Sequence, residues 1–327
     1  MNKLSQAFCA FGLALCGLLA SCAQNRILTP EQTTPSYVAV EMYSGRVLYS
    51  QNANIRRPIG MLTNLATAVV VMDWVKAQNV SMDRMLTVPA AATRWQRTNL
   101  LKLQPGDTIT LRDALLTALM IDDSACAATL AHACSAAYSP SDPEGDFVAQ
   151  MNLLAKRLGM NSTYFKGSNG AVITQSSARD MALLAMYALS SSENERKDVS
   201  LQALTSQRSA TVTVHSATGS RAQSITNTNK LLGSSDQVDG LKVGTSRTAG
   251  SCLLVTARRS SVKLPNPQTG QMNTFAQRLI VVMLGMPDSS TRYGTASQFL
   301  RDGWSAWEGW LKSYDTSDPT QFITLPK

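Results

Sequence analysis

The side chains of this chain that can attack a carbonyl or pass a proton are few, and their spacing limits what each can do. Ser260-Ser261-Val262-Lys263 holds serine and lysine three residues apart. That spacing aligns a hydroxyl and an amine on one helical face, but here it leads into a stretch with Pro265, Pro267 and Gly270 that reads as a loop. Ser124 can serve as a nucleophile only if its base comes from another element, with Lys242 the candidate. Asp122-Asp123 suggests paired carboxylates, yet adjacent helical residues diverge. One is therefore expected to cap a helix and the other to be solvated. The chain has 2 histidines, His132 and His215, too few and too far apart for a metal site. His132 lies in an apolar helical pattern and reads as a packed residue. No metal and no other cofactor is expected.

Three segments carry a more specific signal as an ordered set. They are Arg56-Arg57-Pro58-Ile59-Gly60-Met61-Leu62-Thr63-Asn64-Leu65-Ala66-Thr67, then Asp122-Asp123-Ser124-Ala125-Cys126, then Val238-Asp239-Gly240-Leu241-Lys242-Val243-Gly244. In order and separation they resemble the S-x-x-K, S-x-N and K-T-G motifs of penicillin-binding proteins, and the D-alanyl-D-alanine carboxypeptidases of the peptidase S11 kind in particular. Met151-Asn152 with Leu158-Gly159-Met160, Ala178-Arg179-Asp180-Met181 and Asn227-Thr228-Asn229-Lys230-Leu231-Leu232 extend the likeness from Tyr37 to Trp304.

The resemblance implies a serine nucleophile at the start of a buried helix and a lysine base one turn on. It also implies a second hydroxyl with an amide, and a lysine-bearing strand along the cleft whose glycine lets substrate backbone approach. On this sequence the nucleophile position falls on Met61 and the base position on Asn64, while the second motif reads Asp122 and Ser124. A thioether has no proton to lose, and an amide accepts none near neutral pH. The third motif keeps Lys242 and Gly244, with Val243 replacing the threonine, so these three are the expected substrate-binding positions. The resemblance thus implies a pseudoenzyme of the cell envelope that binds peptidoglycan stem peptides or envelope partners. An active carboxypeptidase with rearranged chemistry and a purely structural partner-binding lipoprotein are the alternatives.

The elements that must position these residues follow from periodicity. Tyr37-Val38-Ala39-Val40-Glu41-Met42 and Arg46-Val47-Leu48-Tyr49 are strand-like around a Ser44-Gly45 turn. Residues 62–77 form a helix that is apolar all round, and so is buried. Residues 111–189 are largely helical, with Ser176 or Ser177 as N-cap of the last helix. Strands return at 211–214, 251–256 and 279–283, and 263–273 is expected to be a long hairpin loop. Leu300, Trp304, Trp307 and Leu311 make one stripe of a final helix, read as core packing. The expected fold is α/β, an antiparallel sheet flanked by helices with an inserted helical subdomain, as in the β-lactamase/transpeptidase-like fold.

At the N-terminus Lys3 precedes an apolar run from Ala7 to Ala20, too short to span a bilayer and suited to a signal peptide. Leu19-Ala20-Ser21-Cys22 looks like a bacterial lipobox, with an ordinary signal peptide as the alternative. The expected organisation is a signal peptide at 1–21, a lipidated tether at 22–36 anchored through Cys22, the peptidase S11-like domain at 37–311 and a C-terminal tail at 312–327. Export to the periplasm or cell wall follows, with the outer membrane as the address if one is present. Of 6 cysteines, Cys9 and Cys16 leave with the signal and Cys22 carries lipid, so Cys126, Cys134 and Cys252 read as core residues. The net charge of +8, without a run of like charges, gives no support to a nucleic-acid partner.

Overall fold

The computed structural model describes residues 34–94, 98–193, 200–234, 236–265, 271–313 and 323–326. The expected signal peptide, Cys22 and most of the tether lie outside the described residues. Strands β1 (Ser36–Glu41) and β2 (Val47–Gln51) form the expected hairpin. Its turn uses Gly45 at φ +75°, a conformation glycine adopts without a Cβ penalty. The two-residue β3 (Arg57–Pro58) runs through a 3₁₀ turn, Gly60–Leu62, into α1 (Thr63–Gln78). Next come β4 (Met85–Thr87), a 3₁₀ turn at Ala90–Arg94 and β5 (Thr108–Thr110).

Three helices follow, each opened by a side chain that accepts a free backbone N–H. Thr110 caps α2 (Leu111–Met120), Asp123 caps α3 (Ser124–Ser135) and Asp142 caps α4 (Pro143–Arg157). After β6 (Gln175–Ser176), the Ser177 hydroxyl accepts the Asp180 N–H at 3.1 Å and so caps α5 (Ala178–Glu193), as the sequence indicates. The remaining elements are α6 (Leu201–Thr205), β7 (Ser209–Ser216), β8 (Gly219–Thr226), β9 (Val238–Ser246), β10 (Gly250–Pro265), β11 (Met272–Met286) and α7 (Ser289–Ser313).

The main sheet is antiparallel, in the order β2-β1-β11-β10-β9. Its central strands are buried on both faces, and the period of two divides them between two cores. Leu279, Val281 and Met283 of β11, with Leu253 and Val255 of β10, pack under Leu300, Trp304 and Trp307 of α7. Ile280, Val282 and Leu284, with Cys252 and Leu254, face the helices on the other side. The α7 stripe is therefore core, as expected. Between β2 and β9 the chain leaves this sheet and builds the inserted subdomain.

One expectation needs correction, and the inserted subdomain carries a feature the sequence did not mark. Beside its helices, β4, β5, β7 and β8 form a second sheet. In β8 only Ile225 is buried, so no apolar alternation marks the strand. The hairpin loop expected at 263–273 is shorter, since Lys263 pairs with Thr274 and Pro265 with Met272. Residues on either side of 37–311 also pack against the domain. Ser36 is buried and accepts the Arg57 Nε–H at 2.6 Å. Ile323, placed in the expected tail, is buried, and its N–H bonds the Gly45 carbonyl at 2.7 Å.

Candidate active-site cleft

The 3₁₀ turn at the foot of α1 places Met61 where four segments meet. Thr63 holds the turn by donating its hydroxyl to the Gly60 carbonyl at 2.8 Å. Ser124 opens α3 and its hydroxyl lies 3.9 Å from the Met61 sulfur. A Cβ on Gly170 would stand 2.5 Å from both the Cα and the sulfur of Met61. A Cβ on Gly244 would stand 2.6 Å from the Leu62 nitrogen. Glycine at 170 and 244 therefore lets the 169–172 segment and β9 close onto the turn. Met61 is 7% exposed, and Ser124 and Asn64 are fully buried.

Asn64 sits three residues beyond Met61, about one helical turn, and donates its amide to the Ala118 carbonyl at 3.1 Å. Its Oδ1 has no partner among the described residues. Asp123 behaves as the expected cap, accepting the N–H of Cys126 at 2.8 Å and those of Leu100 and Leu101 at 2.5 and 3.0 Å.

Asp122 is not the solvated carboxylate the sequence suggests. Its backbone turns through φ +68°, and its Oδ1 accepts a hydrogen bond from the Lys242 ammonium, which also donates to the Val243 carbonyl at 2.6 Å. Burial pushes the Asp122 carboxyl above its ordinary range, and the adjacent Lys242 charge pulls it back. Lys242 is buried, so its ammonium faces this partner rather than an open groove. Two residues 120 positions apart thus join the second and third segments.

The strand also has a cation that sequence reasoning missed. Arg292, in the first turn of α7, donates to the Thr245 hydroxyl at 3.0 Å and the Cys252 carbonyl at 3.1 Å. No motif marks it, because its position depends on how α7 crosses the sheet. The other sequence candidates lie apart from the cleft. Ser260 and Lys263 are on β10, and the His215 ring bonds the Ser220 hydroxyl at 2.6 Å in the β7–β8 hairpin. His132 is half-buried rather than packed in the core. Cys126, Cys134 and Cys252 are buried free thiols, and burial pushes the Cys252 thiol up to about 11. Among the described residues no cluster of His, Cys, Asp and Glu could hold a metal, and no helix is long and apolar enough to cross a membrane.

An antiparallel sheet between helical layers, with β9 closing on the foot of a buried helix, is the fold of the DD-transpeptidases and penicillin-binding proteins. A serine-to-alanine mutant of the Streptomyces K15 DD-transpeptidase superposes with a TM-score of 0.70 over 85% of this chain and 100% of that one, at 24% identity. Residues 23–266 match the family model of the D-alanyl-D-alanine carboxypeptidases, peptidase S11, and the chain belongs to that family. The D-alanyl-D-alanine endopeptidase of Pseudomonas aeruginosa is 30% identical over 72% of each chain. That of Escherichia coli is 33% identical over 47% of each, so this second match spans about half the length of the relative.

Proposed function

We propose that this protein is a cell-envelope member of the carboxypeptidase family that binds peptide but performs no acyl transfer. Met61 carries the reading. A thioether, which forms no acyl intermediate, occupies the foot of α1, enclosed by Gly170 and Ser124. Asn64 is a buried neutral amide already donating to Ala118, and cannot act as a base. The rearranged pair of Ser124 and Lys242 is the weaker alternative, since the lysine is bonded to Asp122 and the serine to Met61.

Peptide binding is supported by the place of β9 at the edge of its sheet, where one side of the strand pairs with no other strand among the described residues. Lys242, Val243 and Gly244 lie on that strand. Peptidoglycan stem peptides are the ligand class that family membership favours, and membership in a family of cell-wall peptidases supports an envelope location. Export by the 1–21 segment and anchoring by lipid at Cys22 belong to the same proposal. The burial of the Lys242 charge favours a second reading, a scaffold that binds an envelope partner through its surface alone.

Fluorescent penicillin and muropeptide assays test the first point. The natural protein should neither label nor release D-alanine, and either event refutes the proposal. Labelling of a Met61→Ser, Asn64→Lys double variant alone would show an intact frame lacking its chemistry. Sedimentation with purified peptidoglycan separates binding from scaffolding. Retention that is unchanged in a folded Lys242→Ala variant argues against the β9 edge.

A further inference from the structure

The two partners of the ion pair beside β9 are unequally open to the cleft. Asp122 lies two residues before Ser124, whose hydroxyl is 3.9 Å from the Met61 sulfur, so its carboxylate stands between the foot of α1 and β9. The next residue fixes it there. Asp123 accepts the N–H groups of Cys126, Leu100 and Leu101, which ties the backbone at 122–123 to two segments. Oδ1 of Asp122 is taken by the Lys242 ammonium. Oδ2 has no partner among the described residues and is not enclosed, and the side chain is 19% exposed. The side chain of Lys242 is 0% exposed. The cation is covered, while its counter-ion reaches water.

Arg292 does not make good the covered charge. It is near enough to act on the Asp122 carboxyl, yet it is buried on the opposite face of the strand. Val243 packs in the core under α7 and the Thr245 hydroxyl accepts from Arg292, so these two side chains point to α7. Lys242, between them, points the other way by the period of two. The Arg292 guanidinium also donates to the Cys252 carbonyl and the Tyr293 hydroxyl, and its unpaired Nε is enclosed on that same far face.

A carboxylate laid beside β9 would meet the open oxygen of Asp122, a like charge, and would lose its water without reaching the Lys242 ammonium. An amide N–H in the same place would donate to that oxygen, and hydrogen bonds to an ionised acceptor are the stronger kind. We propose that Asp122 makes the β9 edge selective for peptide whose C-terminal carbonyl is in amide linkage, as in an amidated or cross-linked strand, over peptide ending in a free carboxylate. The selectivity rests on the reading that β9 binds peptide, and adds which class of peptide it takes.

Calorimetric titration of the whole protein with a stem peptide ending in D-alanyl-D-alanine, and with the same peptide as its C-terminal carboxamide, tests the assignment. The carboxamide should bind about tenfold tighter or more. Asp122→Asn should abolish that preference or reverse it, by removing the like charge beside the ammonium. Because this variant leaves Lys242 uncompensated, the Asp122→Asn, Lys242→Met double variant is titrated as well, and should bind both peptides equally. Equal or tighter binding of the free carboxylate by the natural protein overturns the selectivity while peptide binding stands, and loss of that binding in Arg292→Lys would place the carboxylate on the α7 face. A preference for the carboxamide that persists in the double variant also overturns it, since Asp122 would not be its source. Binding of neither peptide refutes the peptide-binding reading, and the selectivity falls with it.

Discussion

The ion pair of Lys242 with Asp122 can be tested by removing each charge separately, and the structure predicts unequal costs. The Lys242 side chain is 0% exposed and that of Asp122 is 19% exposed. Asp122→Asn keeps the shape and tolerates the left-handed backbone at φ +68°, so it isolates the charge. It leaves a buried ammonium whose acceptors, the Val243 carbonyl and the amide oxygen at position 122, are both neutral. Breaking a buried pair from one side costs about 3–5 kcal/mol, and this variant should fall in that range. Lys242→Met leaves the carboxyl, which reaches some water and has a pKa already raised by burial, so it can take up a proton. About 1–3 kcal/mol is expected there. The double variant should recover most of the loss, because an apolar neighbour of similar volume often replaces a buried pair at little cost. Urea unfolding measures all three from the midpoint, provided the slope is unchanged. Single-variant costs below about 1 kcal/mol would place the pair with ordinary surface bridges and refute the argument. So would a double variant equal to the sum of the singles.

Other expectations follow from neighbouring features. Gly170→Ala and Gly244→Ala each drive a Cβ to 2.5–2.6 Å from backbone of the Met61-Leu62 turn, and should cost about 1–3 kcal/mol in thermal or urea unfolding. Glu41 is buried in β1, and burial raises its pKa above 4.5 despite hydrogen bonds from Ser44 and Arg278. The folded chain therefore holds that proton more tightly than the unfolded chain. Its contribution is complete below the unfolded pKa and is lost as pH rises through the folded one. Glu41→Gln should flatten the melting temperature against pH in that mildly acidic window, and an unchanged slope would contradict the assignment. The thiols of Cys126, Cys134 and Cys252 are buried, and desolvation raises all three pKa values, so a thiol reagent at pH 8 should modify them only after unfolding. Rapid reaction of any of the three in the folded protein would refute their burial.

The alternation of β1, β10 and β11, the all-apolar face of α1 and the tryptophan stripe of α7 were legible because each places its apolar groups by a local period. That a cap falls at Asp122 or Asp123, and at Ser176 or Ser177, was legible for the same reason, since a cap acts within three residues of itself, while the structure chose Asp123 and Ser177. β8 and the extended arms of β10 and β11 were not, because partners across the sheet stabilise them, with little of their own apolar pattern.

Residue types alone determined that Met61 and Asn64 offer no proton chemistry, that Lys242 and Gly244 survive, and that the ordered segments follow a family pattern. Only the tertiary structure decided that Asp122 neutralises Lys242, that Gly170 covers Met61, and that Arg292 braces β9. Chemical capacity belongs to a single side chain and can be read in one dimension. Which charge meets which, and what is closed to water, depends on segments up to 120 residues apart meeting in space.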